Sequence, residues 1–418
     1  MKKSFVKRMA VTAGVGFLLF SCTDDTQDPN ETLDLQNIIL ESEESVTFNQ
    51  GSYEIEGSYI VVFDKKVTGN LSSKAANDYK AANGEVKDIA LKILNNLHLK
   101  GDVVEHVYSK TLLGVSARLN AEQAVEIAKD SRVAYIEKDQ MFTLGPPPGK
   151  GPGSGDGGGG SNPQETPWGI SRVNGGATYT GSGVAWIIDS GIDASHADLN
   201  VNVSRGFNVF TNGKDADLAT DGNGHGTHVA GTVAAIDNNI GVIGVAAGAT
   251  VIPVKVLSGR GSGSNSGVIA GVDHVAAFGS AGDVANMSLG GGLSQALNAA
   301  VENAATVVKF ALAAGNESTS ATTKSPASAE GGNIYTISAM AEGDNWASFS
   351  NYGNPPIEFC EPGVAIKSTW TGGGYNTISG TSMASPHACG LLLWGSISND
   401  GRTVSGDPDG NADTIGVN

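Results

Sequence analysis

Residues 184–193 read VAWIIDSGID. An apolar run without alternation stops here at Asp189. Such a run, bounded by small and charged residues, predicts a strand buried on both faces. Similar runs recur at 251–257 (VIPVKVL), 284–289 (VANMSL), 310–314 (FALAA) and 333–339 (NIYTISA). Helical stretches lie between them, at 229–236, 267–277 and 294–308. Continuous apolar strands alternating with helices predict a parallel sheet covered on both faces. In such sheets the chemistry sits outside the carboxyl ends of the strands. Asp189 falls at one such end, and Asn316, in AAGNES, at another.

Two further stretches matter. They are GNGHGTHVAGT around His225 and SGTSMASPH around Ser382. Attack of a hydroxyl on a carbonyl needs a base for the Ser proton. That base needs an acid to fix its tautomer and stabilise the imidazolium. Ser382 precedes an apolar helical stretch, 383–393, and so sits at a helix start; His225 also opens a helix. Each residue alone has a plainer reading. A strand-end Asp is often a turn residue, and a lone Ser before a helix is often a cap. His225 and His228 would suit a metal-dependent hydrolase, but the HExxH pattern with its Glu base is absent. Ala384 breaks GxSxG and argues against an α/β-hydrolase esterase.

The three stretches, in the order Asp, His, Ser, resemble the subtilisin-like serine proteases, for which that order is established. The strings SGRGSGS (258–264), SFSNYG (348–353) and STW (368–370) are most similar to the proteinase K branch. The resemblance implies an α/β, three-layer subtilisin-like fold around a central parallel sheet. It implies that Asp189 orients the base, His225 is the general base and then the general acid, and Ser382 is the nucleophile. Asn316 matches the oxyanion-hole side chain. Ser288, Leu289 and Gly290, with Ala314 and Gly315, match the walls of the primary specificity pocket. Gly261, Ser262 and Gly263 match the strand edge that pairs with an extended substrate, which implies a broad endopeptidase. No cofactor is implied for the chemistry. Glu358 aligns with an acidic calcium ligand, and the acidic stretches Asp215, Asp217, Asp221, Asn223 and Asp407, Asp409, Asn411, Asp413 are further calcium candidates or plain solvated loops. The alternative function is a catalytically inactive, peptide-binding surface protein of the same fold.

Upstream, residues 58–142 read as strand (59–63), helix (71–97, weakest at Asn83-Gly84), strands (103–108 and 111–119), helix (121–129, with a capping box from Asn120 and Gln123) and strand (133–136). That order is the α+β, ferredoxin-like arrangement. YIVVF, LGVSARL and VAYIEKDQ give it a resemblance to the inhibitory propeptide of the same proteases, which implies an intramolecular inhibitor. Residues 143–162 form a Gly/Pro-rich linker, with 13 Gly or Pro among the 17 residues of 145–161. Such a segment buries too little to order itself and is a processing site as well as a spacer. The catalytic domain is expected over 163–418.

The N-terminus carries Lys2, Lys3, Lys7 and Arg8, then an apolar stretch at 10–20 and Cys22. This predicts a signal peptide over 1–21 and resembles a bacterial lipoprotein signal, with Cys22 lipidated and 22–57 an acidic tether. The protein is then exported and either held at the cell envelope through a membrane-inserted lipid or secreted. The 418 residues carry a net charge of −17, which excludes nucleic acid as the main partner and leaves protein or peptide substrates. Cys360 and Cys389 pair, stay free or lie buried; spacing does not decide. After Leu393 the chain turns polar and Gly-rich, a departure from the relatives' continuing helices.

Overall fold

The computed structural model describes residues 52–69, 71–72, 77–145 and 163–418. The signal segment, Cys22, the tether to residue 51 and linker residues 146–162 lie outside the described residues.

The first folded part runs β1 (Tyr53–Phe63), α1 (Tyr79–Asn95), β2 (Val104–Tyr108), β3 (Gly114–Arg118), α2 (Ala121–Ala128) and β4 (Val133–Thr143). α1 starts later than residue 71 because Asp78 caps it, accepting from the Ala81 N–H at 3.1 Å. Asn83-Gly84 does not interrupt it. α2 begins with both halves of the Asn120–Gln123 capping box. β1 starts at Tyr53, inside the stretch expected as tether, and β4 runs on to Thr143 rather than ending at 136. Both extensions have the same cause: Tyr53 and Glu54 pair with Met141 and Gln140.

In the second part the strands are β5 (Ala185–Asp189), β6 (Thr250–Lys255), β7 (Ser262–Ser264), β8 (Val284–Met287), β9 (Gly291–Gly292), β10 (Lys309–Ala313), β11 (Ile334–Ala341) and β12 (Ile357–Pro362). The helices are α3 (His225–Ala234), α4 (Asn265–Phe278), α5 (Gln295–Ala304) and α6 (Thr381–Leu393). The central sheet has the order β12-β11-β10-β8-β5-β6, and each of these pairs is parallel. Alternate residues of β5 serve opposite layers. Trp186 and Ile188 pack with Val268 and Val272 of α4 and Leu297 and Val301 of α5. Ala185 and Ile187 pack with Val229 and Val233 of α3 and Ala384 and Ala388 of α6. This is why the run shows no polar alternation.

The polar C-terminal stretch does not dangle. It forms β13 (Ser398–Thr403) and β14 (Thr414–Val417). β14 joins the central sheet beside β12, with Ile415 opposite Cys360, and β13 pairs with it antiparallel. Cys360 on β12 and Cys389 on α6 are both free and buried. No helix among the described residues is long and apolar enough to cross a membrane.

Candidate active site

β5 delivers Asp189 to its carboxyl end, fully buried, and α3 begins with His225 beside it. His225 Nδ1 donates to the Asp189 carboxylate, 2.9 Å from each oxygen. The Ser190 N–H donates to Asp189 Oδ1 at 2.7 Å and fixes the carboxylate from the other side. So close an approach needs glycine at 226: a Cβ there would lie 2.2 Å from the Gly191 carbonyl oxygen. Burial by itself would depress the imidazole, but the charge and hydrogen bond of Asp189, with Asp221 behind it, raise its pKa above the ordinary value.

Ser382 lies at the start of α6, in the first turn, whose backbone N–H groups lack the usual i−4 helical partner. Its hydroxyl donates to the Ser288 carbonyl at 3.1 Å, and the Ser288 hydroxyl donates back to the Ser382 carbonyl at 2.8 Å. Asn286 holds both sides of this exchange, donating to Ser288 Oγ at 2.8 Å and accepting from Ser385 Oγ at 2.8 Å. Asn316 Oδ1 accepts from the Thr381 N–H at 2.8 Å and the Thr381 hydroxyl at 2.9 Å. The amide oxygen is thus committed and the NH2 is the free end. Thr381 also accepts from the Gly315 N–H at 3.1 Å, so it ties the strand end carrying Asn316 to the helix carrying Ser382. The sequence analysis missed Thr381, although it adjoins Ser382.

The edge of β7 is occupied. Thr143, Phe142 and Met141 of β4 pair antiparallel with Ser262, Gly263 and Ser264, and the Leu144 N–H donates to the Gly261 carbonyl at 2.9 Å. Across from β7 lies β9, whose Gly292 N–H donates to Ser52 Oγ at 2.7 Å, while Gln140 Nε2 donates to the Leu293 carbonyl at 3.2 Å. β4 therefore lies between β7 and β9 as an extended peptide. Gly261, Ser262 and Gly263 touch it, whereas Ser288 and Gly315 touch the Ser382 segment. Leu289, Gly290 and Ala314 link these contacts along the chain; Leu289 and Ala314 are buried.

Carboxylates hold this arrangement from both sides. Asp273 of α4 accepts from the Lys110 N–H (2.8 Å), the Thr111 N–H (2.7 Å) and hydroxyl (2.9 Å), the Ser109 N–H (3.1 Å) and the Tyr79 hydroxyl (2.8 Å). Asp139 of β4 accepts from the Ser266 N–H (3.0 Å) and hydroxyl (2.6 Å) in the first turn of α4. Glu137 accepts from the Ser294 hydroxyl and, at 3.0 Å, from the Ala296 N–H in the first turn of α5. A negative charge at a helix N-terminus is favourable by about 0.3–1 kcal/mol.

The rival arrangements fare differently. His225 and His228 do not face a common point: His228 Nε2 donates to the Ile366 carbonyl at 3.0 Å, and burial pushes its pKa down to about 3. His387 is buried with Nδ1 donating to the Met383 carbonyl at 2.8 Å. Asp221 is buried and both of its oxygens accept N–H and O–H donors, so it is no solvated loop residue. Asp215 accepts from the Gly259 N–H at 2.8 Å. In the C-terminal stretch Asp407 and Asp409 accept N–H donors of their own loop, and Asp413 is buried and accepts from the Ser338 hydroxyl. Glu358 is half-buried, with Oε2 accepting from the Thr336 N–H at 2.5 Å. Burial, then the charges of Glu330 and Asp413, push its pKa up to about 8. Among the described residues no three His, Cys, Asp or Glu side chains converge to hold a metal ion.

The description of the subtilase family matches residues 182–394, and that of the peptidase inhibitor I9 matches 58–145. An extracellular serine proteinase of a Thermus species is 35% identical over 403 residues, covering 92% of this chain and 89% of its own. Proteinase T of Parengyodontium album is 45% identical over 273 residues, covering 62% of this chain and 84% of its own. Alkaline serine exoprotease A of Vibrio alginolyticus is 42% identical over 299 residues, covering 69% of this chain; the chain spans only about half of that protein, 52%. The crystal structure of a cold adapted subtilisin-like serine proteinase superposes with a TM-score of 0.52 at 38% identity, covering 59% of this chain and 96% of that one.

Proposed function

Because the chain belongs to the subtilase family of serine endopeptidases and carries its inhibitor domain, we propose that it is an exported pro-enzyme that cuts peptide bonds at Ser382 and processes itself. The observation that carries this reading is the seat of β4 as an extended strand on the edge of β7, the edge that the family resemblance assigns to substrate, together with the Asp189–His225 pair.

Ser382 Oγ leaves the Ser288 carbonyl, turns to His225 Nε2 and attacks the scissile carbonyl while the imidazole takes its proton. Asp189 holds the ring in the Nδ1–H tautomer and stabilises the imidazolium. The Asn316 NH2 and the Ser382 N–H receive the oxyanion, and losing one such donor costs a factor of about 10²–10³. His225 then hands its proton to the leaving amine. Water repeats the cycle on the acyl-enzyme. Since β7 binds through backbone groups, the enzyme takes many sequences. Self-cleavage near 141–144 or within the linker releases the propeptide.

A fluorophosphonate probe tests the reading. Labelling and casein digestion by the purified protein, both absent in Ser382→Ala, support it. A stable, unlabelled native protein that still binds peptides favours the inactive surface protein instead. Export follows from the signal-like N-terminus and from the likeness to the extracellular serine proteinase of the Thermus species. The lipid anchor predicts palmitate incorporation that Cys22→Ser abolishes. A structural calcium at Glu358 belongs to the same proposal: that side chain offers one carboxylate oxygen, so backbone carbonyls must complete the site.

A further inference from the structure

We propose that Asp221, Ser190 and Lys255 form a buried bracket whose task is to position Asp189 against His225, making all three positioning residues for the hydrolysis at Ser382. The inference rests on the proteolytic reading above and deepens it.

Ser190 is gripped at every polar atom. Its N–H donates to Asp189 Oδ1 at 2.7 Å, and its hydroxyl donates to Asp221 Oδ1 at 2.9 Å. The same hydroxyl accepts from the Gly226 N–H at 3.0 Å, and its carbonyl accepts from the Lys255 ammonium. Asp221 grips α3 in turn. Its Oδ1 also accepts from the N–H groups of Asn223 (3.0 Å) and Gly224 (2.9 Å), and its Oδ2 accepts from the Thr227 N–H (3.0 Å) and hydroxyl (2.7 Å). One carboxylate therefore fastens the end of β5, through Ser190, to the turn on which His225 rides. Lys255 stands opposite Asp189 in the β6–β5 register, fully buried, with Asp215 3.9 Å from its ammonium.

The two buried charges explain each other. An isolated buried carboxylate or ammonium costs several kcal/mol unless a partner and hydrogen bonds compensate it. Here opposite charges flank one serine, and hydrogen bonds to charged groups are shorter and stronger than neutral ones. The fold gains a stiff junction at the one place where strand and helix must meet with the carboxylate facing the ring. Among the described residues no hydrogen bond joins the bracket to Ser382, Asn316 or β4, so its effect reaches the reaction through Asp189 and His225. A composition-based reading sees Asp221 as part of an acidic loop. Its donors are mostly backbone N–H groups, which a sequence does not display.

The test uses the full chain after release of the propeptide, verified by mass spectrometry, with rates divided by sites titrated to completion with a fluorophosphonate. Asp221→Asn and Ser190→Ala are each expected to lower kcat by about 10- to 100-fold, the cost of a misplacement of about 1 Å. KM should move by less than about twofold, because substrate contacts are untouched. The double variant should lose no more than the worse single one, since both cut the same tether. Unchanged kcat per titrated site with a lowered Tm would make the bracket a stability feature and overturn the proposal. So would losses that multiply in the double variant. Should Asp221→Asn fail to unfold cooperatively, Ser190→Ala, which removes one oxygen, decides alone. Failure of the unaltered chain to titrate at Ser382 would refute the proteolytic reading itself, a result separable from any variant.

Discussion

The two sheets of this molecule solve the same problem unequally. Each has apolar side chains on both of its faces. The central sheet covers its own faces, α3 and α6 on one side and α4 and α5 on the other. The propeptide sheet covers only one: Val61, Phe63, Val115 and Ala117 pack on Val86, Ala90, Ile93, Ala124 and Ile127. Its other face, with Ile60, Val62, Tyr108 and Phe142, packs into the cluster containing α4 and α5. Its edge strand β4 is finished by β7. The central sheet has both faces covered by helices of its own part, whereas the propeptide sheet takes one of its covers from the catalytic part. If the propeptide is released as proposed, it is left with an uncovered apolar face.

The asymmetry can be broken crosswise. Asp189→Asn should lower kcat by about 10⁴-fold, the scale for losing the acid of such a triad, while leaving the propeptide's affinity unchanged. The acidic limb of kcat/KM bears on the same pair. His225 must be neutral to act, and the Asp189 charge raises its pKa, so activity should rise with pH through a midpoint above about 6.5. Phe142→Ala should do the reverse. Phe142 is 1% exposed, and truncating a buried Phe costs about 3–5 kcal/mol. The inhibition constant of the propeptide added in trans should rise by about 10²–10³-fold, with kcat of the freed enzyme unmoved. A variant propeptide that inhibits as well as the original would show that the second apolar face contributes little.

Local signals account for what the sequence disclosed. β5, the His225 turn and the Ser382 turn are read easily because each must be apolar, Gly-rich or helix-starting within a few residues. The extension of β4 through Glu137–Thr143 was not legible. EKDQMFT has four polar residues in a row and no alternation, and it becomes strand by pairing with Tyr53 and Glu54 on one side and Ser262–Ser264 on the other. β13 (SNDGRT) is fully exposed and carries no apolar pattern; it exists because β14 offers an edge. YIVVF holds a further signal: a five-residue run without alternation implies two covered faces, one more than two helices on a single side supply.

The other end of the comparison is the central sheet's own edge, which β14 and β13 finish. Glu361 on β12 is fully buried there, and neither carboxylate oxygen has a hydrogen-bond partner. Burial raises its pKa well above the ordinary value, and Arg172 offsets this in part. For an acid whose folded pKa is raised, the folded state holds the proton more tightly. Its stabilising contribution is full below the ordinary carboxylate pKa and is lost as pH rises towards the folded value. Glu361→Gln cannot ionise, so its Tm should exceed that of the unaltered protein by a margin that widens from about pH 5 to about pH 9. About 2–4 °C per kcal/mol is the expected scale for a chain of this size. A constant margin would mean that Glu361 ionises over the same pH range folded and unfolded, so that burial does not hold its proton.

Glu358, on the same strand, gives the smallest and most conditional effect. Its pKa of about 8 describes a carboxyl crowded by Glu330 and Asp413 with no cation beside it. A calcium ion would invert that logic, holding the group ionised and joining β12 to the loop before β11. Chelation would then restore the crowding, and the group would take up a proton near neutral pH. EGTA should therefore lower Tm by about 2–4 °C if the ion is worth about 1 kcal/mol, and Glu358→Gln should remove the EGTA response while leaving the Glu361 effect intact. A melt that EGTA does not move would leave Glu358 a neutral acid held by the Thr336 N–H, unlike its unpartnered neighbour Glu361. The central sheet would then be finished at this edge by its own chain alone, in full contrast with the propeptide.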